Sequence, residues 1–96
     1  MPTRDQILAT LRALKPEMEK KYAMRSIALF GSYARGDQTA RSDVDVLVDV
    51  DPSIGLDFVD LAETIERRLG IKTDVVPADG VKPRYRAYIQ KDLVYV

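Results

Sequence analysis

The 96-residue chain contains no cysteine and no histidine. Without cysteine there are neither disulfides nor thiolate metal sites. Without histidine there is no Ser-His-Asp or Cys-His relay, no His-ligated zinc and no imidazole acid–base chemistry. Any catalysis falls to carboxylates, hydroxyls, Lys, Arg or a bound metal. An excess of one charge is missing too: 15 Lys and Arg balance 15 Asp and Glu. A non-specific nucleic-acid binder usually carries a strong basic excess, so no direct nucleic-acid binding is expected. Neither a signal peptide nor an apolar run of spanning length is visible, and a cytoplasmic protein without membrane contact is the expectation. The length suits one small domain over residues 1–96, large enough for a single core.

What is present centres on one stretch. Ile27-Ala28-Leu29-Phe30 is a short apolar run ended by Gly31, which predicts a buried strand over 25–30. Residues 43–50 alternate strictly and predict a second strand. Val44, Val46, Val48 and Val50 take one side, and Asp43, Asp45 and Asp49 the other. Aspartate is a poor strand residue, so three on one face need a reason. Asp49, with Asp51 and Pro52 just beyond, reads as a solvated strand end. Asp43 and Asp45 are different. Carboxylates that close disfavour each other's ionised form, and a divalent cation between them reverses this. Mg²⁺ takes oxygen ligands, usually one or two carboxylates plus substrate phosphates. The Gly31-Ser32 turn just upstream offers close backbone approach and free N–H groups to such phosphates.

The rest of the chain supplies a scaffold. Thr3 and Gln6 make a capping box for a first helix, and Ile7, Leu8, Leu11 and Leu14 form its apolar stripe. Pro16 predicts a break, with a second short helix from Pro16 to about Lys21. Met18 and Tyr22 are candidates for the core. Residues 51–55 form a turn-rich loop. A helix over 56–69 follows, acidic at its start and basic at its end, with Gly70 as its stop. Residues 71–76 predict a third strand ended by Pro77, 83–91 a last helix and 93–96 a final strand. The first two strands are expected to pair antiparallel, because their connection is short.

Gly31-Ser32, ten intervening residues, then Asp43-Val44-Asp45 resembles the motif of the DNA polymerase beta-like nucleotidyltransferase superfamily. With Tyr33-Ala34-Arg35-Gly36 and Ser42, the fuller string is similar to the minimal branch of that superfamily. Those are stand-alone MNT-type domains of bacteria and archaea, commonly paired with a HEPN-domain protein in toxin–antitoxin systems. The resemblance implies an α/β (α+β) fold, a small mixed β-sheet with helices packed mainly on one face. It also implies a third acidic residue on a strand beside the Asp-x-Asp strand. Taken alone, Asp74 in Lys72-Thr73-Asp74-Val75-Val76 reads equally as structural or functional. The superfamily pattern makes it the third carboxylate.

The implied activity is Mg²⁺-dependent transfer of AMP from ATP to a hydroxyl, with two ions roughly 3.5–4 Å apart clamping the attacking and leaving oxygens. Asp43 and Asp45 would bind both ions, and Asp74 would complete the one that activates the nucleophile. Gly31, Ser32 and nearby N–H groups would hold the β- and γ-phosphates. Arg35 can contact phosphate, or brace the turn by pairing with Asp37 or Asp43. Arg41 has a weaker claim to phosphate. The implied acceptor is a tyrosine of a HEPN-type toxin, which makes the chain the antitoxin of a type VII pair, acting by AMPylation. One alternative is a non-catalytic antitoxin or subunit that masks its partner. Another is nucleotidyl transfer to a small molecule held by a separate subunit. Lys82, Arg84, Tyr85, Arg86 and Tyr88 read first as an amphipathic surface helix, and second as a partner surface.

Overall fold

The computed structural model describes residues 1–96. The capping box forms: Thr3 Oγ1 accepts from the Gln6 N–H at 3.1 Å, and Gln6 Oε1 accepts from the Thr3 N–H at 2.9 Å. Helix α1 then runs over Arg4–Tyr22 with Pro16 inside it, so the expected break at Pro16 does not occur. Tertiary packing decides this. Ile7, Leu8, Leu11, Leu14, Met18 and Tyr22 are all buried on one stripe that spans the proline. A break would pull Met18 and Tyr22 from the core, at about 1.5–3 kcal/mol for each large apolar side chain. Pro16 and Arg12 lie on the exposed face, where the carbonyl left without a helical donor can turn to water.

Four strands form one mixed sheet: β1 (Ser26–Phe30), β2 (Val44–Asp49), β3 (Thr73–Pro77) and β4 (Val94–Tyr95), in the order β3-β2-β1-β4. β1 and β2 are antiparallel, as their short connection predicts. That connection holds a five-residue helix, α2 (Gly31–Arg35), closed by Gly36 at φ +80°. β2 and β3 are parallel, because α3 (Asp57–Leu69) intervenes as a crossover. Gly70 ends α3 in the left-handed region, as expected. α4 (Pro83–Gln90) precedes β4, which is antiparallel to β1. Several strand boundaries differ from expectation by one or two residues. β2 begins at Val44, leaving Asp43 just outside. β3 begins at Thr73, because Ile71 and Lys72 are used in leaving the helix, and it includes Pro77. A proline without an N–H is tolerated there because β3 is an edge strand.

Strand register divides the sheet into two faces. Ile27 and Leu29 pair with Val48 and Val46, and this face packs on α1 and α3 through Leu11, Leu14, Leu61 and Ile65 in one core cluster. The other face carries three rows. Phe30, Asp45 and Asp74 form one row; Ala28, Leu47, Val76 and Tyr95 the next; Ser26 and Asp49 the last. α4 partly roofs this second face and buries none of its own residues fully. No helix is long and apolar enough to cross a membrane.

Candidate active site

The carboxylates collect at the end of the sheet where β1 hands over to α2. Asp45 pairs in register with Asp74 across the parallel β2–β3 ladder. Asp43 sits one step before β2, fixed by the hydrogen bond from the Val44 N–H to the Lys72 carbonyl at 3.0 Å. Its Oδ2 lies 3.9 Å from Lys72 Nζ. The sheet therefore brings all three predicted acids to one end.

Asp45 stands at the centre. Its carboxyl is pushed up to about 6. Burial is the largest cause, then the negative charges of Asp74 and Asp43, while Arg35 opposes the shift. Gly31 makes room for it. Gly31 has φ +76°, and a Cβ there would overlap Asp45 Oδ2 and stand 3.1 Å from Asp45 Cγ. Glycine is thus required twice, by its backbone angle and by its neighbour. α2 starts at this glycine with no side-chain cap from Phe30, so its first N–H groups lack intrahelical partners. Ser32 follows, half-buried, its carbonyl accepting from the Gly36 and Asp37 N–H groups. Tyr33 is fully buried in the core and belongs to the scaffold. Arg4 Nε donates to the Ala34 carbonyl at 3.0 Å, tying α1 to this helix.

Arg35 does not pair with Asp43. It donates through Nε to Asp37 at 3.1 Å and through Nη1 to Asp92 at 2.8 Å. These bonds, Asp37 first, raise its already high pKa. Asp92 was not foreseen. It lies 57 residues from Arg35, and no local pattern marks it. Asp49 is paired rather than simply solvated, with Arg25 Nη2 at 3.0 Å. Arg41 is exposed and makes no ion pair.

No three carboxylates stand close enough to hold a cation unaided. The donor set nevertheless suits Mg²⁺. It is all hard oxygen, its most buried member is strained by neighbouring negative charge, and Mg²⁺ usually completes its shell with substrate phosphates and water.

A family profile described as a nucleotidyltransferase domain matches residues 11–96, a range that takes in α2, all four strands and the three acids. The chain belongs to the nucleotidyltransferase domain family. Its fold is that of the polymerase beta-like nucleotidyltransferases, as the resemblance implied. A protein adenylyltransferase of Thermococcus cleftensis, MntA, is 38% identical over 98 residues, covering 100% of this chain and 98% of its own. A provisionally named protein adenylyltransferase of Methanocaldococcus jannaschii is 41% identical over 101 residues, covering 100% of both. A structure provisionally assigned as a minimal nucleotidyltransferase superposes with TM-score 0.81 at 27% identity, covering 97% of this chain and 95% of that one. A crystal structure of a toxin–antitoxin with AMP-PNP shares the fold, with TM-score 0.64 at 22% identity, over 98% of this chain and 72% of the other. This nucleotidyltransferase therefore spans nearly the whole length of both adenylyltransferase relatives.

Proposed function

We propose that this chain is a protein adenylyltransferase that moves AMP from ATP onto a tyrosine of a HEPN-type toxin, and so acts as the antitoxin of a type VII pair. The observation that carries the reading is the Asp45–Asp74 register pair, with Asp43 beside it and the glycine-led start of α2 against it. Full-length relatives named for adenylyl transfer to protein support it. So does a fold neighbour crystallised as a toxin–antitoxin with an ATP analogue.

This arrangement supports the following residue roles. Asp43, Asp45 and Asp74 would hold Mg²⁺, as two ions, which when bound neutralises the developing phosphate charge. Gly31, Ser32 and the free N–H groups of α2 hold the β- and γ-phosphates. Arg35, at the far end of that helix and held by Asp37 and Asp92, would add positive charge on the phosphate side. Asp74 is exposed and takes the proton of the incoming hydroxyl. The new bond joins the tyrosine oxygen to the α-phosphorus. The bond to the β-phosphate oxygen breaks, and pyrophosphate leaves with the electron pair. The partner supplies the acceptor's grip, in the cytoplasm where ATP is available.

Incubation with α-labelled ATP and Mg²⁺, alone and with the product of the adjacent gene, tests this by intact mass. One or more adenylyl units on the neighbour are expected, absent with Asp43→Ala/Asp45→Ala. A tight complex without adduct overturns the enzymatic reading and leaves a masking antitoxin. An adduct on an added aminoglycoside, and none on protein, points to small-molecule transfer.

A further inference from the structure

A second feature lies on the same face of the sheet, one row from the carboxylates. Leu47 follows Asp45 on the open side of β2, and Asp49 follows Leu47. At 3.3–3.4 Å per residue these lie about 7 and 13 Å along the strand from Asp45. Together they floor a cavity of about 330 Å³ roofed by Ile89 and Gln90 of α4. Asp79 and Arg86 stand on its wall.

Three properties define what fits. The volume is near the lower end of the range for ligand pockets, about 300–1,000 Å³, which is room for one planar ring system rather than a whole nucleotide. Leu47 in the floor and Ile89 in the roof are aliphatic. The polar wall is rich in acceptors: Asp49 and Asp79 only accept, and Gln90 both donates and accepts. One N–H of Arg86 is engaged, Nη2 donating to the Ala78 carbonyl at 3.0 Å, and Asp49 already accepts from Arg25 Nη2 at 3.0 Å, which leaves Asp79 as the wall's unpaired carboxylate. Asp79 has no ion-pair or hydrogen-bond partner of its own among the side chains.

We propose that this cavity receives the base of the bound nucleotide, and that its acceptor-rich wall selects a base bearing an exocyclic amine, such as adenine. A nucleoside places its base one ribose away from the α-phosphate. The cavity begins one row from the acids beneath which that phosphate would lie. The inference rests on nucleotide use by this chain and adds where the base goes and which residues read it. Leu47 and Ile89 sandwich the ring, the unpaired Asp79 accepts from the amine edge, and Gln90 meets a ring nitrogen.

The test is calorimetric, with Mg²⁺ present. The ligands are a non-hydrolysable ATP analogue blocked between the α- and β-phosphates, its inosine counterpart, and tripolyphosphate, which has no base. Leu47→Phe fills the floor and Val81→Trp fills the rim from a loop, so one variant covers for poor folding of the other. Both are expected to weaken the adenosine analogue at least tenfold and to leave tripolyphosphate within twofold. The wild type is expected to bind the inosine analogue at least fivefold less tightly than the adenosine one. Unchanged adenosine affinity in both folded variants overturns the base site while leaving adenylyl transfer standing. Equal binding of the adenosine and inosine analogues overturns the amine selection. A wild-type protein that binds none of the three overturns the nucleotide reading and the base site with it.

Discussion

The two faces of β2 divide the labour of the molecule. Val44, Val46 and Val48 are fully buried against α1 and α3, whereas Asp45, Leu47 and Asp49 on the opposite face remain half-exposed. The alternation of one strand thus serves two purposes. One side contributes to stability, and the other concentrates negative charge that an isolated fold would be better off without. In a chain this small the two cannot be separated by distance, so they are separated by direction.

Substitutions on the two faces should therefore fail in different ways. The largest effect is expected on the open face. Asp45→Asn should reduce nucleotidyl transfer by at least ~10³-fold while keeping the circular dichroism of the wild type. The same change should stabilise the metal-free protein at neutral pH. The sign follows from the raised carboxyl. Its folded value is about 6, above the ordinary aspartate value of about 3.9, so between the two the native state holds more protons than the unfolded one. Stability from this group then falls as pH rises from about 4 to about 6, and stays low above that. With EDTA present, the Asn variant should melt above the wild type at pH 7.5, and the gap should close by pH 4. Equal melting at both pH values would show that Asp45 is not strained.

Val46→Asn, one residue on and facing the core, should do the reverse. It buries an amide with no partner and should cost about 3–5 kcal/mol, against a total of about 5–15 kcal/mol for a typical domain. Urea unfolding reads this directly, and a loss below 1 kcal/mol would mean the core tolerates polarity. Gly31→Ala sits between the faces. It forces alanine into the left-handed region and against Asp45. Stability should fall by about 1–2 kcal/mol, and transfer by about 10²-fold through displacement of the carboxylate. A variant with wild-type kinetics would break the link between that turn and the site. Glu17→Gln supplies the floor of the scale. Its pair with Arg68 is solvent-exposed at 3.1 Å, and losing it should change stability by no more than ~0.5 kcal/mol in the same urea series.

The features that could be read from the chain were those with local determinants. The capping box at Thr3 and Gln6, the stop at Gly70 and the alternation over 44–49 all depend on residues a few positions apart. Others depend on the assembled fold. Pro16 stays helical because Met18 and Tyr22 are held by α3 and the sheet, a fact absent from the local pattern. Pro77 joins a strand because that strand lies at an edge. Asp74 could be suspected only by resemblance, and its place opposite Asp45 is a matter of register between strands joined by a helix. The Arg35–Asp92 pair and the cavity beneath α4 bring together residues from distant parts of the chain. Long-range geometry, rather than composition, decides those.

The rims of the sheet carry a last consequence. β3 forms one rim and ends in a proline, and β4 forms the other with only two residues. Neither offers a long row of free amides and carbonyls on which a foreign strand could align. Backbone pairing is therefore disfavoured at either rim, and side chains are the part of this surface that a partner would read. Side-chain recognition is rewritten by single substitutions, whereas backbone pairing is nearly indifferent to sequence.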